Sequence, residues 1–115
     1  MGKIGEDIAE KFLVEQGYEI VDRNVRQKFG EIDILAEDRF GTAHFVEVKT
    51  LSAKSWLEPE DQLTRSKLLK MKKMADWYAR QNPKTVSGNY QLDLVAIKFS
   101  EEGGRPEIRF YENIA

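Results

Sequence analysis

The stretch GEIDILAEDRFGTAHFVEVKT, residues 30–50, reads as a β-hairpin that carries more charge than a hairpin needs. Side chains of a strand point alternately to its two faces. In the strand from residue 31, Ile32, Ile34 and Ala36 are expected on one face and Glu31 and Asp33 on the other. In the strand from residue 42, His44, Val46 and Val48 oppose Phe45, Glu47 and Lys49. Paired through the turn Asp38–Gly41, the strands bring Asp33 and Glu47 together on one face, with Lys49 two residues on. The apolar face is expected on the core and the charged face in a cleft.

Two carboxylates held that close repel, and one is driven to protonate unless a cation lies between them. Mg²⁺ or Mn²⁺ takes oxygen ligands and keeps several waters, which suits a few acids and an incoming phosphate. A neighbouring lysine can orient or deprotonate an attacking water, or stabilise charge on a phosphoryl transition state. The chemistry this assembles is metal-assisted phosphodiester hydrolysis. The spacing D-x13-E-x-K also arises by chance in charged proteins, and an alternating charged face is often only a solvated one.

Working outward, residues 3–16 place Ile4, Ile8, Ala9, Phe12 and Leu13 on one helical arc that Gly17 stops. Glu6 falls beside Leu13, at the edge of that arc, where a helix meets the body of the protein. Residues 18–26 read as a first strand. A long helix is expected from Glu60 to Asn82, with Pro59 and two acids near its start, Pro83 beyond its end, and Leu68, Met71, Ala75 and Tyr78 as its apolar stripe. Residues 90–99 read as a buried strand and 107–114 as an edge strand after Gly103–Gly104. The order α-β-β-β-α-β-β implies an α/β fold, a mixed sheet flanked by helices, with the fourth strand parallel to a hairpin strand because a helix-length crossover precedes it.

The 115 residues suit one domain, 1–115. The chain contains no cysteine, which excludes disulfides, thiolate catalysis and cysteine-held metals. No apolar run approaches the ~20 residues of a membrane span and the N-terminus lacks a signal-peptide core, so a soluble cytoplasmic protein is expected. Net charge is −2, but residues 64–84 hold seven basic residues against Asp76 alone, a segment of +6 on a body of −8. That segment is either a solvated helix face or a footprint for phosphates.

The segments GEDIAEKFL, RNVR, GEIDILA, FVEVKT, TRSK, LDLVAI and ENIA, in this order, resemble the YraN-type family, similar in turn to archaeal Holliday junction resolvases and the PD-(D/E)xK nuclease superfamily. The resemblance runs from residue 2 to the C-terminus. It implies a restriction-endonuclease-like fold and a Mg²⁺- or Mn²⁺-dependent endonuclease acting on structured, branched or junction-like DNA. Asp33, Glu47 and Lys49 match the superfamily's acid–acid–lysine set, and Glu6 matches a first-helix glutamate of the resolvase-like members. Glu6, Asp33 and Glu47 would be metal ligands. Glu31 and Lys67 also fall on recurrent positions, and Lys67, with Arg65, Lys70 and Glu31, is expected on the nucleic-acid side. Leu51, the loop SAKSWLEPE and QLD depart from the family pattern, which leaves substrate contacts open. Cutting both strands of a junction would call for a symmetric homodimer. Two other readings stay open: a catalytically silent nucleic-acid-binding module, and a protein-interaction domain in DNA processing whose basic helix docks an acidic partner.

Several residues read more plainly as structural. Alternation puts His44 away from Glu47. Asp93 is expected to fix a neighbouring strand or loop, Asn24 to support the hairpin, and Trp77 and Tyr78 to sit in the long helix. Trp56 either packs over apolar surface or stacks on an unpaired base. Glu31 is ambiguous: a second metal, a water, or a pair with Lys49.

Overall fold

The computed structural model describes residues 2–52 and 63–115. Helix α1 (Gly2–Glu15) is followed by β1 (Glu19–Gln27), β2 (Gly30–Glu37) and β3 (Ala43–Leu51). Helix α2 (Arg65–Gln81) then crosses to β4 (Tyr90–Lys98), and β5 (Glu107–Tyr111) closes the chain. The five strands form one sheet in the order β1-β2-β3-β4-β5, antiparallel except where β3 and β4 run parallel. This is the expected α/β arrangement, a mixed sheet flanked by helices, with the crossover helix returning the chain parallel to β3.

A core lies on each face of the sheet. Under α1, Ala9 and Leu13 pack on Ile34, Ala36, Val46, Val95 and Ile97. Under α2, Met71, Met74, Ala75 and Tyr78 pack on Ile32, Leu35, Phe45 and Leu92. The central strands β2, β3 and β4 are therefore buried on both sides, and Asp33 and Glu47 of the charged hairpin face are buried rather than in open solvent.

Four expectations need correction. Ile4 is 59% exposed, because the buried face of α1 is centred on Gly5, Ala9 and Leu13. Small residues there bring the helix close: a Cβ at Gly5 would meet Thr50 Cγ2 at 2.5 Å. Second, α2 starts at Arg65 and not at Glu60. Thr64 has extended backbone, φ −73° and ψ 160°, and its hydroxyl accepts from the Lys67 N–H at 3.2 Å, an N-cap that defines the first turn. Pro59, Glu60, Asp61 and Trp56 lie outside the described residues. Asn82 is the C-cap rather than the last helical residue.

Third, Ile32 does not share a core with Ile34 and Ala36, but joins the one beneath α2. The change of side falls at Asp33. On β1 the facing position is Asn24, bracketed by the pairs Arg23–Ile34 and Val25–Ile32 and held at φ +54°. Asparagine tolerates this left-handed conformation, which suits a kink. The β2–β3 ladder begins at Ile34–Val46 and runs toward the turn, so Asp33 sits where the two strands part. Fourth, β5 ends at Tyr111 because Asn113, at φ +55°, turns the chain back. Ile114 then donates its N–H to Leu92 O at 2.8 Å and packs against the α2-side core.

The Gly5–Thr50 approach yields a test. Gly5→Ala gains about 1 kcal/mol of helix propensity but overpacks the contact at a cost of about 1–3 kcal/mol. The single variant is therefore expected to be neutral to destabilised. Combined with Thr50→Ser, which removes the obstructing methyl, it should be more stable than Thr50→Ser alone, giving a coupling of about 1 kcal/mol or more in chemical denaturation. Strictly additive effects would show that α1 does not rest on β3 at this point.

Candidate active site

Asp33 and Glu47 reach neighbouring positions by different routes. Glu47 lies on the α2 side of β3, two residues beyond Phe45, and is 6% exposed. Asp33 is 9% exposed, and its Oδ2 accepts the Val48 N–H at 2.8 Å. That N–H lies past the end of the β2–β3 ladder, so the carboxylate replaces a strand carbonyl. It thereby closes the gap between the parting strands.

The carboxylates are balanced by the protein's own cations. Lys67, in the first turn of α2, holds Glu47 Oε2 at 2.8 Å, and Lys49 approaches the same oxygen at 3.6 Å. Basic residues at a helix N-terminus oppose the helix dipole. Arg65 and Lys67 stand there with no acid in the first turn, and the buried charge of Glu47 accounts for Lys67. Glu6 is drawn the other way by Arg23, whose Nη2 lies 3.4 Å from Glu6 Oε1 while its Nη1 contacts Asp7 and Glu10. Arg23 drew no attention in the sequence. Its only sequence signal was its place in RNVR.

These fields shift the proton affinities of the cluster. Asp33 is raised from 3.8 to about 7, by burial first and then by the charge of Glu47, against the Val48 hydrogen bond, with Glu6 and Glu31 adding to the rise. Lys49 is lowered, by burial and by the neighbouring Lys67 ammonium, against the attraction of Glu47 and Asp33. Lys67 is raised: burial opposes the shift, but its bond to Glu47 outweighs it. Lys49 is thus the member of the lysine pair disposed to give up a proton.

The structure brings Asp33, Glu47, Lys49 and Lys67 together, with Glu6 close enough to act on Asp33. It leaves Glu31 outside, exposed and paired with Arg26 at 3.3 Å, not with Lys49. Arg65 and Lys70 are exposed on α2. In chemical type the carboxylates of Glu6, Asp33 and Glu47 would suit a hard divalent cation, but in this conformation their oxygens do not all lie within 4.8 Å of one another. Arg23 and Lys67 occupy two of those carboxylates in this conformation.

Among the described residues, the set of His and acidic side chains whose ligand atoms lie within 4.8 Å of one another is a different one: His44, Asp93 and Glu112. It has the chemistry of a metal-ligand group, but both ring nitrogens of His44 are engaged. Nδ1 lies 2.5 Å from Asp93 Oδ2 and Nε2 lies 2.9 Å from Asp38 Oδ2. Burial lowers the His44 pKa, but the two carboxylates outweigh it and leave it raised. In this conformation neither ring nitrogen is free for a metal, because each is taken up by a carboxylate. Asp93 also accepts the Asn113 N–H at 2.9 Å, tying the C-terminal segment to β4 and, through His44, to β3. The structural readings of His44 and Asp93 agree with these contacts.

The pKa of Asp33 sets a stability test. A carboxyl whose folded pKa exceeds its unfolded value is favoured when protonated, so its stabilising contribution is full below about pH 4 and is lost as pH rises through about 7. Asp33→Asn keeps an acceptor for the Val48 N–H and removes the charge. The variant is expected to be more stable than the parent by about 1–3 kcal/mol at about pH 8, with the gap closing towards about pH 4, in urea unfolding. A variant no more stable than the parent at the higher pH would contradict this electrostatic account.

The relatives agree in extent and in family. Residues 5–97 match the Uncharacterised protein family UPF0102. A UPF0102 protein of Campylobacter jejuni is 41% identical over 114 residues, 99% of this chain and 92% of the relative. One from Syntrophus aciditrophicus is 37% identical over 107 residues, 93% of this chain and 83% of the relative. One from Desulforamulus reducens is 31% identical over 113 residues, covering 98% and 93%. Among solved structures, Pyrococcus furiosus SfsA in complex with Ca²⁺ is similar with a TM-score of 0.38 and 19% identity, over 96% of this chain and 62% of that one. Among the described residues no helix is long and apolar enough to cross a membrane. The family match and these relatives establish that the chain belongs to the UPF0102 family.

Proposed function

We propose that the protein is a metal-dependent endonuclease that hydrolyses phosphodiesters in structured DNA, branched or junction-like. The observation that carries this reading is the buried Asp33–Glu47 pair with Lys49 beside it, under the basic N-terminal turn of α2. Burying two like charges costs several kcal/mol that a merely structural sheet position would avoid. Sites that pay such a cost are often functional.

Mg²⁺ or Mn²⁺ held by Glu6, Asp33 and Glu47 would neutralise these acids and polarise a phosphate oxygen. The chain's own residues supply the rest. Lys67 and the exposed Arg65 and Lys70 attract and position phosphate. Lys49, its pKa depressed beside Lys67, is suited to orient the attacking water and take its proton. Two such sites, in a homodimer, would be needed to cut both strands of a junction.

One observation favours a second reading. Lys67 and Arg23 already neutralise Glu47 and Glu6, which is the arrangement of a nucleic-acid-binding module that has lost turnover.

Calorimetric titration of Mn²⁺ separates the two. The nuclease reading expects binding that Asp33→Ala and Glu47→Ala each abolish. It also expects cleavage of branched, flapped or single-stranded DNA that Lys49→Ala lowers by about 10²–10⁴-fold while leaving cation binding in place. Salt-dependent DNA binding that needs no metal and survives Asp33→Ala, with no cleavage of any of these substrates, would establish the silent module instead.

A further inference from the structure

We infer that a groove beside the acid cluster, between the β1–β2 turn and α2, binds an unpaired DNA strand, with Phe29 stacking on a base and Lys28, Lys70 and Lys73 holding its phosphates. The groove has a volume of about 540 Å³, and its walls include Arg26, Lys28 and Phe29 on one side and Lys70 and Lys73 on the other. It continues past Phe29 and Lys73 into a second hollow of about 530 Å³ against Trp77 and Arg80. The inference rests on the reading that the chain handles DNA, and it adds the form of strand and the residues that seat it.

The two walls are held together by a close approach. A Cβ at Gly30 would meet Met74 Cγ at 2.9 Å, so a larger residue there would have to displace the Met74 side chain on which the turn rests. Lys28, Lys70 and Lys73 are exposed. Glu31 also lines the groove, tied to Arg26, and Asp76 lines the second hollow, bonded to the Tyr90 hydroxyl, which leaves Lys28, Lys70 and Lys73 to set a positive balance along the groove. Phe29 is 41% exposed although it meets Trp77 edge to face at 6.3 Å. The neighbouring indole steadies the ring while much of it faces solvent.

Lysines around an exposed aromatic ring are the chemistry of single-strand recognition. In a duplex the base faces are stacked on one another and out of reach of such a ring, whereas an unpaired base offers its face. The direction of the groove is also informative. Lys70 lies one helical turn beyond Lys67, and Glu31 two residues before Asp33. A strand seated by these residues leads toward the acid cluster. Branched DNA supplies such a strand where its arms meet.

The test is fluorescence anisotropy with a labelled oligo(dT) and a duplex of equal length, in EDTA, so that neither metal nor cleavage enters. The parent is expected to bind the single strand more tightly than the duplex. Phe29→Leu should weaken single-strand binding by roughly 5- to 100-fold, with Phe29→Trp restoring it. Lys73→Ala should make the log–log salt dependence shallower by about 0.7. Tighter binding to the duplex, or unchanged binding by both Phe29→Leu and Lys73→Ala in folded protein, would overturn the inference. If Phe29→Leu fails to fold, the Lys73 variant decides. DNA cleavage that Asp33→Asn abolishes and Phe29→Leu leaves untouched would sink the groove and keep the nuclease. Groove binding without any cleavage would do the reverse.

Discussion

Asp33 and Glu47 are buried on adjacent strands, and much of the surrounding structure is arranged so that their charge can be borne. A buried carboxylate without a partner costs several kcal/mol. Here each charge meets a specific group. The Val48 N–H bonds to Asp33 where β2 and β3 part, and Lys67 and Lys49 converge on Glu47. Glu6 reaches the cluster because Gly5 lets α1 lie against Thr50. The kink at Asn24, the parting of β2 from β3 and the basic first turn of α2 can all be read as consequences of placing acids inside a sheet that has a core on both faces.

That both faces are buried explains which parts of this arrangement were legible in the sequence. The helix between β3 and β4 implied a parallel pair, and the alternation of Phe45, Glu47 and Lys49 gave their common face. Both features are local or follow from connectivity. The common face of Asp33, Glu47 and Lys49 is visible for the same reason, but an alternating charged face is often only a solvated one, and it is the family resemblance that singles the set out. Alternation fails at Ile32 because it assumes an undisturbed strand. The disturbance comes from Asn24 on the neighbouring strand, whose left-handed backbone has no unambiguous signature in a single sequence. The start of α2 was misread because Thr64 competes with Pro59 and the nearby acids as a start signal, and only its hydrogen bond to the Lys67 N–H decides between them.

The remaining pieces were illegible because they depend on contacts across the chain. Arg23 is one basic residue among 18 until the fold brings it to Glu6, Asp7 and Glu10. His44 reads as an isolated histidine until it lies between Asp93 and Asp38, where it becomes the buried link that joins β3, β4 and the 38–41 turn. The same fold thus contains two acid clusters with different balances. The one around His44 is closed by an imidazole fixed between two carboxylates. The one around Asp33 and Glu47 has cations on Glu47 and Glu6, while Asp33 meets a backbone N–H and its pKa is raised to about 7 by burial and by the charge of Glu47.

The net charge of −2 conceals how this chain presents itself to a polyanion. Its field is set by where charges are buried and where they are exposed. Two acids of the cluster are nearly buried, and Lys67 answers one of them, while Arg65, Lys70, Lys72 and Lys73 stand exposed on the same helix. A phosphate approaching α2 therefore meets positive charge first, and the carboxylates only at short range. Such layering lets one small domain attract a nucleic acid and still keep an acidic pocket, because the attraction acts over a Debye length of about 8–10 Å while the acids are mostly neutralised from outside. The proposed chemistry and the proposed groove both rest on this separation, which comes from the register of α2 over β3 more than from the number of charged residues.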